Sequence, residues 1–129
     1  MGRPICYLKA LQLGRPRFNI RKIIMFAWVA LLVAGLFEVV WAYTMKLSNG
    51  FTSLYYSSIT IVAMIISFGL LAFAMKSLPL GTAYMIWTGV GAIGAFVVGI
   101  MILGEPMTFL RILAATLIFS GLILMKMAS

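Results

Sequence analysis

No charged residue falls between Lys46 and Lys76, and none between Lys76 and Glu105. Each stretch is longer than the roughly 20 residues with which an α-helix crosses a ~30 Å hydrocarbon core. Lipid offers the backbone no water, so a spanning segment must be a helix or a strand of a closed barrel. Barrel strands alternate apolar and polar residues, and no such alternation occurs here. The chain therefore reads as an all-α membrane protein. Its composition agrees, since 64% of the 129 residues are hydrophobic and 9% charged, too few charges to clothe a water-soluble surface.

Four spans fit the sequence, at about 26–45, 54–75, 82–103 and 108–127. Arg111 in the first turn of the last span and Lys126 in its last turn are long enough to snorkel to the interface. The connections carry turn chemistry: "LSNG", "SLPLG" and "GEP". Pro79 and Pro106 fall in those connections, and no proline falls within a span. Residues 25–129 are thus expected to form a four-helix transmembrane unit with very short loops.

Whole classes of activity lack their residues. The chain has no histidine and a single cysteine, Cys6, so neither a metal centre nor a structural disulfide is expected. No phosphate-binding or dinucleotide glycine motif is present, no cofactor is implied, and an enzymatic role is not expected. The net charge of +8 does not point to nucleic acid, because the basic residues flank apolar spans, where they act as topology signals.

Residues 1–24 differ in character from residues 25–129. They hold six of the ten basic residues (Arg3, Lys9, Arg15, Arg17, Arg21 and Lys22), no acid, and two prolines. They lack the apolar core of a secretory signal. One reading is a basic arm on anionic headgroups. The favoured reading is a start at Met25, the preceding residues reflecting an upstream start assignment. From Met25 onward, Lys76 and Lys126 lie on one side of the membrane and Lys46 and Arg111 on the other, a balance without orientation preference. Six further positive charges would hold the N-terminus in the cytoplasm.

Within the first span, "GLFEVVWAYTMK" contains a carboxylate, Glu38. At mid-membrane depth a carboxylate costs ~2.5–3.5 kcal/mol on insertion scales and marks a substrate or proton pathway. The structural alternative is a place near the interface or a buried basic partner, but no basic residue in the spans lies at matching depth. A carboxylate in such a place can be neutralised by a proton or an incoming cation in turn. That competition is the simplest coupling of export to a proton gradient.

Gly35, Glu38 and Trp41 stand at i, i+3 and i+6 on one face of the first helix, and Tyr84 and Trp87 repeat the i, i+3 spacing on the third. Gly35 allows close backbone approach, Trp41 offers an N–H or a π face, and Ser67 is a mid-span hydroxyl on the second helix. Taken singly, Trp and Tyr are commonly interfacial belt residues, and a serine commonly bonds the preceding turn's carbonyl. Their agreement in depth with Glu38 favours a pocket. In "WTGVGAIGAFVVG" the residues Gly91, Ala95 and Gly99 form a ridge for helix contact, whereas Gly89 and Gly91 also permit a bend.

With these residues in view, the chain from about Met25 to Ser129 resembles the small multidrug resistance family of bacterial transporters, and within it the guanidinium-exporting branch. The segments that carry the likeness are "AGLFEVVWA" and "SLPLGTAYMIWTGVGAIGA". The resemblance implies four transmembrane helices assembled as an antiparallel homodimer in the bacterial inner membrane. It implies Glu38 as the shared proton and substrate site, and Trp41, Ser67, Tyr84 and Trp87 as pocket lining. It also implies Gly89, Gly91 and Gly94 as the bend for alternating access. The implied partners are guanidinium-type cations, protons, the lipid bilayer and a second copy of the chain. A broader exporter of quaternary ammonium compounds and a non-transporting membrane scaffold are the alternatives.

Overall fold

A computed structural model describes residues 17–129. Four helices occur in order: α1 (Arg17–Leu47), α2 (Leu54–Met75), α3 (Leu80–Met101) and α4 (Phe109–Ala128). All four contain segments long and apolar enough to cross a membrane. At 1.5 Å per residue, the 22-residue helices α2 and α3 are about 33 Å long, the thickness of a bilayer core. Among the described residues there is no strand.

The expected span 54–75 coincides with α2, α3 and α4 are shifted by two residues and one, and α1 starts nine residues before the expected 26. Helix α1 begins at Arg17, upstream of the apolar stretch, because a helix need not stop where the hydrocarbon stops. Residues 17–24 therefore continue α1 with no break at Met25. The rest of the basic stretch, including Cys6, Arg3, Lys9 and Arg15, lies outside the described residues. Helix α3 starts two residues before the expected 82, directly after Pro79, whose extended backbone sets the boundary. Thr108 is the N-cap of α4, and its hydroxyl accepts the Arg111 N–H at 3.4 Å.

The α1–α2 turn places Asn49, Gly50 and Phe51 in succession at positive φ. Ser48 holds this strained run together: its hydroxyl donates to the Met45 carbonyl at 2.6 Å and accepts the Phe51 N–H at 3.1 Å. One turn into the membrane, the Thr44 and Thr60 hydroxyls meet at 2.7 Å and tie α1 to α2.

The core lies among α1, α2 and α3 and is built largely of small and aliphatic residues: Ala27, Leu31, Ala34, Leu71, Ala74, Ala83 and Ile86. Alanines let helix backbones approach, which is the main source of packing energy where lipid removes the hydrophobic drive. Helix α4 is different. It packs along α3, meets α1 where Lys126 rests over Trp28, and buries none of its residues. Large apolar side chains such as Leu54, Phe109 and Leu117 point outward, as a lipid-facing surface requires.

Candidate functional site

Glu38 sits where α1 packs against α3. The two helices run parallel, and a series of glycines sets their separation. A Cβ on Gly35 would crowd Val90, one on Gly91 would overlap the Glu38 carboxyl, and one on Gly94 would overlap Val39. Glu38 is thus laid directly against the backbone of α3, in a slot that only a glycine at position 91 leaves open. Its Oε2 is buried and has no hydrogen-bond partner within the protomer, and the same is true of Trp41 Nε1 one turn further along α1. A buried acceptor and a buried donor therefore lie three residues apart on one helix without protein partners, the condition under which a polar group costs most unless something else binds it.

One turn from Glu38 toward the N-terminus, three helices are joined by two hydrogen bonds. Ser67 Oγ donates to the Ala34 carbonyl at 2.7 Å, and Trp87 Nε1 donates to Ser67 Oγ at 3.0 Å. Ser67 is 0% exposed and Trp87 7%. The serine therefore bonds across to another helix rather than to the preceding turn of its own. In the protomer its donor and that of Trp87 are both occupied, and the two bonds fix the α1–α2–α3 junction one turn from Glu38. The Trp87 ring is held between Phe68, edge-on at 5.8 Å, and Tyr84, tilted at 5.6 Å. Tyr84 itself is 52% exposed, at the open edge of this aromatic group.

Of the residues singled out in the sequence, Glu38 and Gly91 meet directly, Gly35 lies against Val90 and the Trp87 carbonyl, and Ser67, Trp87 and Tyr84 form a contiguous group one turn away. Gly94 serves the same α1–α3 approach. Gly89 does not: its missing Cβ faces Leu122 of α4. Helix α3 runs uninterrupted through all three glycines. The sequence reading missed the Ala34 carbonyl as the anchor of Ser67, because a backbone acceptor leaves no mark in residue types. It also missed the pairing of Glu105 with Arg111, at 2.5 Å, which closes the α3–α4 loop. That pair was within reach, since the two acids of the chain include one only six residues from an arginine. Among the described residues no group of His, Cys, Asp or Glu could hold a metal ion.

A family model for the small multidrug resistance protein matches residues 26–118. The chain belongs to the small multidrug resistance family. Curated relatives within this family include a protein named guanidinium exporter from Yersinia pseudotuberculosis, 54% identical over 103 residues that cover 80% of this chain and 99% of the relative. Proteins of the same name from Salmonella typhimurium and Klebsiella oxytoca are 52% and 50% identical, each over 80% of this chain and 98% of their own length. Four membrane-length helices in a member of this bacterial small multidrug resistance family make the chain a multi-pass protein of the inner membrane.

Proposed function

We propose that this small multidrug resistance protein exports guanidinium and related small guanidinyl cations in exchange for protons, at a site built around Glu38 by two antiparallel copies. The observation that carries the reading is the Glu38 carboxyl, laid against Gly91 at the α1–α3 contact with a buried, unpartnered oxygen. Relatives named guanidinium exporter, similar over nearly their whole length, support the substrate. Guanidinium is planar, keeps its charge across physiological pH, and offers paired N–H donors that fork onto a carboxylate. A site with one carboxylate per copy binds either that ion or protons. Because the two occupants exclude each other, inward proton movement drives outward cation movement.

Two features support the antiparallel pair. From Met25 onward the basic residues are balanced across the membrane, so both orientations insert. Helix α4 buries nothing within the protomer and is the element a second copy has most reason to cover. Trp41, whose indole N–H is free, is the first candidate to orient the bound cation, with Ser67, Trp87 and Tyr84 shaping the pocket wall. Gly91 and Gly94 would let α3 shift against α1 as access alternates, and Gly89 would let it shift against α4.

The test is transport by the protein reconstituted in liposomes, with guanidinium and a bulky quaternary amine compared as drivers of proton movement. Guanidinium is expected to drive proton flux, and Glu38→Gln, which keeps the shape and removes the charge, is expected to abolish it while dimers persist. A Gln variant that still accumulates guanidinium against its gradient would overturn the mechanism. Absence of flux in the unmutated protein with either cation would instead favour a scaffold role.

A further inference from the structure

At the membrane face that carries the start of α1 and the end of α4, an apolar groove of about 360 Å³ runs between α1, α3 and α4. Leu32, Val90, Phe119 and Ile123 line it, and Trp28 and Lys126 stand at its outer end. Lys126 Nζ rests over the Trp28 ring, 3.3 Å from the centroid. From Lys126 to Phe119 the groove spans two turns of helix, about 10 Å, which is most of the depth of one leaflet's hydrocarbon.

The cation at the mouth has no side-chain carboxylate to neutralise it. The acids of the chain are Glu38 and Glu105. Glu105 is paired with Arg111 at the opposite end of the bundle. Glu38 lies ten residues along α1 from Trp28, about 15 Å deeper. A further basic residue, Arg21, stands two turns outward of Trp28 on the same face of α1. An apolar helix from a second copy laid over this groove would bury Lys126 with no carboxylate side chain opposite it, which is unfavourable. A molecule with an anionic head at the interface and a hydrocarbon tail matches both the charge and the apolar wall.

We propose that this groove is a binding site for an anionic phospholipid. Its phosphate pairs with Lys126 and one acyl chain lies along Leu32, Val90, Phe119 and Ile123. Bound there, the lipid bridges α4 to α1, two helices that share few contacts of their own.

Trp28 is a built-in reporter. The full chain is reconstituted in phosphatidylcholine vesicles containing, at equal mole fraction, either brominated phosphatidylglycerol or brominated phosphatidylcholine, and quenching of tryptophan fluorescence is measured. The Trp28 component is assigned as the part lost in Trp28→Phe. Expected is a preference of about fivefold for the anionic lipid at this tryptophan, the scale of one basic side chain against an anionic surface. Lys126→Gln removes that preference and Lys126→Arg retains it. Equal quenching by both headgroups, or a preference that survives Lys126→Gln, overturns the proposal. So does the absence of Trp28 quenching by either lipid, which would mean that a second copy covers the groove.

Discussion

The hydroxyl of Ser67 is the smallest unit on which the site depends. It accepts from Trp87 and donates to the Ala34 carbonyl, so Ser67→Ala removes two interhelical bonds at once and leaves the indole N–H buried and unpaired. Interhelical bonds of this kind in membranes are worth about 0.6 kcal/mol on average, and the orphaned donor adds to that loss. The variant is expected to fold with a stability loss of about 1–2 kcal/mol by unfolding in mixed detergent. Its functional loss should be selective. A planar ion with many N–H donors depends on a fixed carboxylate geometry more than an amine with an alkyl tail does. Guanidinium-driven flux is therefore expected to fall further than flux driven by an alkyl quaternary amine, for Ser67→Ala and for Trp87→Ala alike. Equal losses for both substrates would point to a general packing defect.

At the scale of the element, α3 carries three glycines whose substitutions should separate. Alanine raises helix propensity by about 1 kcal/mol in each case, a gain common to all. What differs is the neighbour the new methyl meets. At Gly89 it meets the terminal atoms of Leu122 on α4, a helix with no buried residue and room to yield. At Gly94 it meets Val39, whose branched side chain is stiff, and at Gly91 it meets the Glu38 carboxyl. Overpacking of the latter kind costs about 1–3 kcal/mol. The expected order of stability is Gly89→Ala above Gly94→Ala and Gly91→Ala, measured by unfolding in mixed detergent. Gly91→Ala is expected to lose guanidinium exchange most completely, because the methyl displaces the carboxyl itself. Wild-type exchange by Gly91→Ala would contradict the placement of Glu38 against α3.

For the whole molecule the deciding quantity is the distribution of basic residues between the two faces. Lys76 and Lys126 oppose Lys46 and Arg111, and the residues before Met25 add Arg and Lys to one side alone. A variant lacking residues 1–24 is expected to insert in both orientations, and adding one lysine to either face is expected to bias it strongly. Accessibility of single cysteines introduced in the α1–α2 and α2–α3 turns, labelled from outside intact cells, reads the two populations. Full-length chain that labels in both orientations would show that those six charges do not govern insertion. Labelling of the shortened variant in one orientation only would count against the antiparallel pair.

The number of helices, the bounds of α2, α3 and α4 to within two residues, and a carboxylate inside the first span were legible in the sequence by itself. Each is a local property: hydrocarbon thickness fixes how long an uncharged run must be, and one carboxylate in such a run stands out whatever surrounds it. Of the expected ridge Gly91, Ala95 and Gly99, Gly91 packs against α1, whereas Gly99 faces Glu105 of the α3–α4 loop. Which neighbour each small residue of α3 faces was not legible. Gly89 and Gly91 are two residues apart, about 200° around the helix, so one turns to α4 and the other to Glu38. In a water-soluble helix a polar face would have marked the outside and settled the orientation. Here lipid is as apolar as the core, so both sides of the helix read alike in sequence. Only the tertiary structure decided that Ser67 bonds Ala34 on another helix, that Glu38 lies against the backbone of Gly91, and that Lys126 rests on Trp28, because each depends on how helices turn about their own axes when their backbones meet.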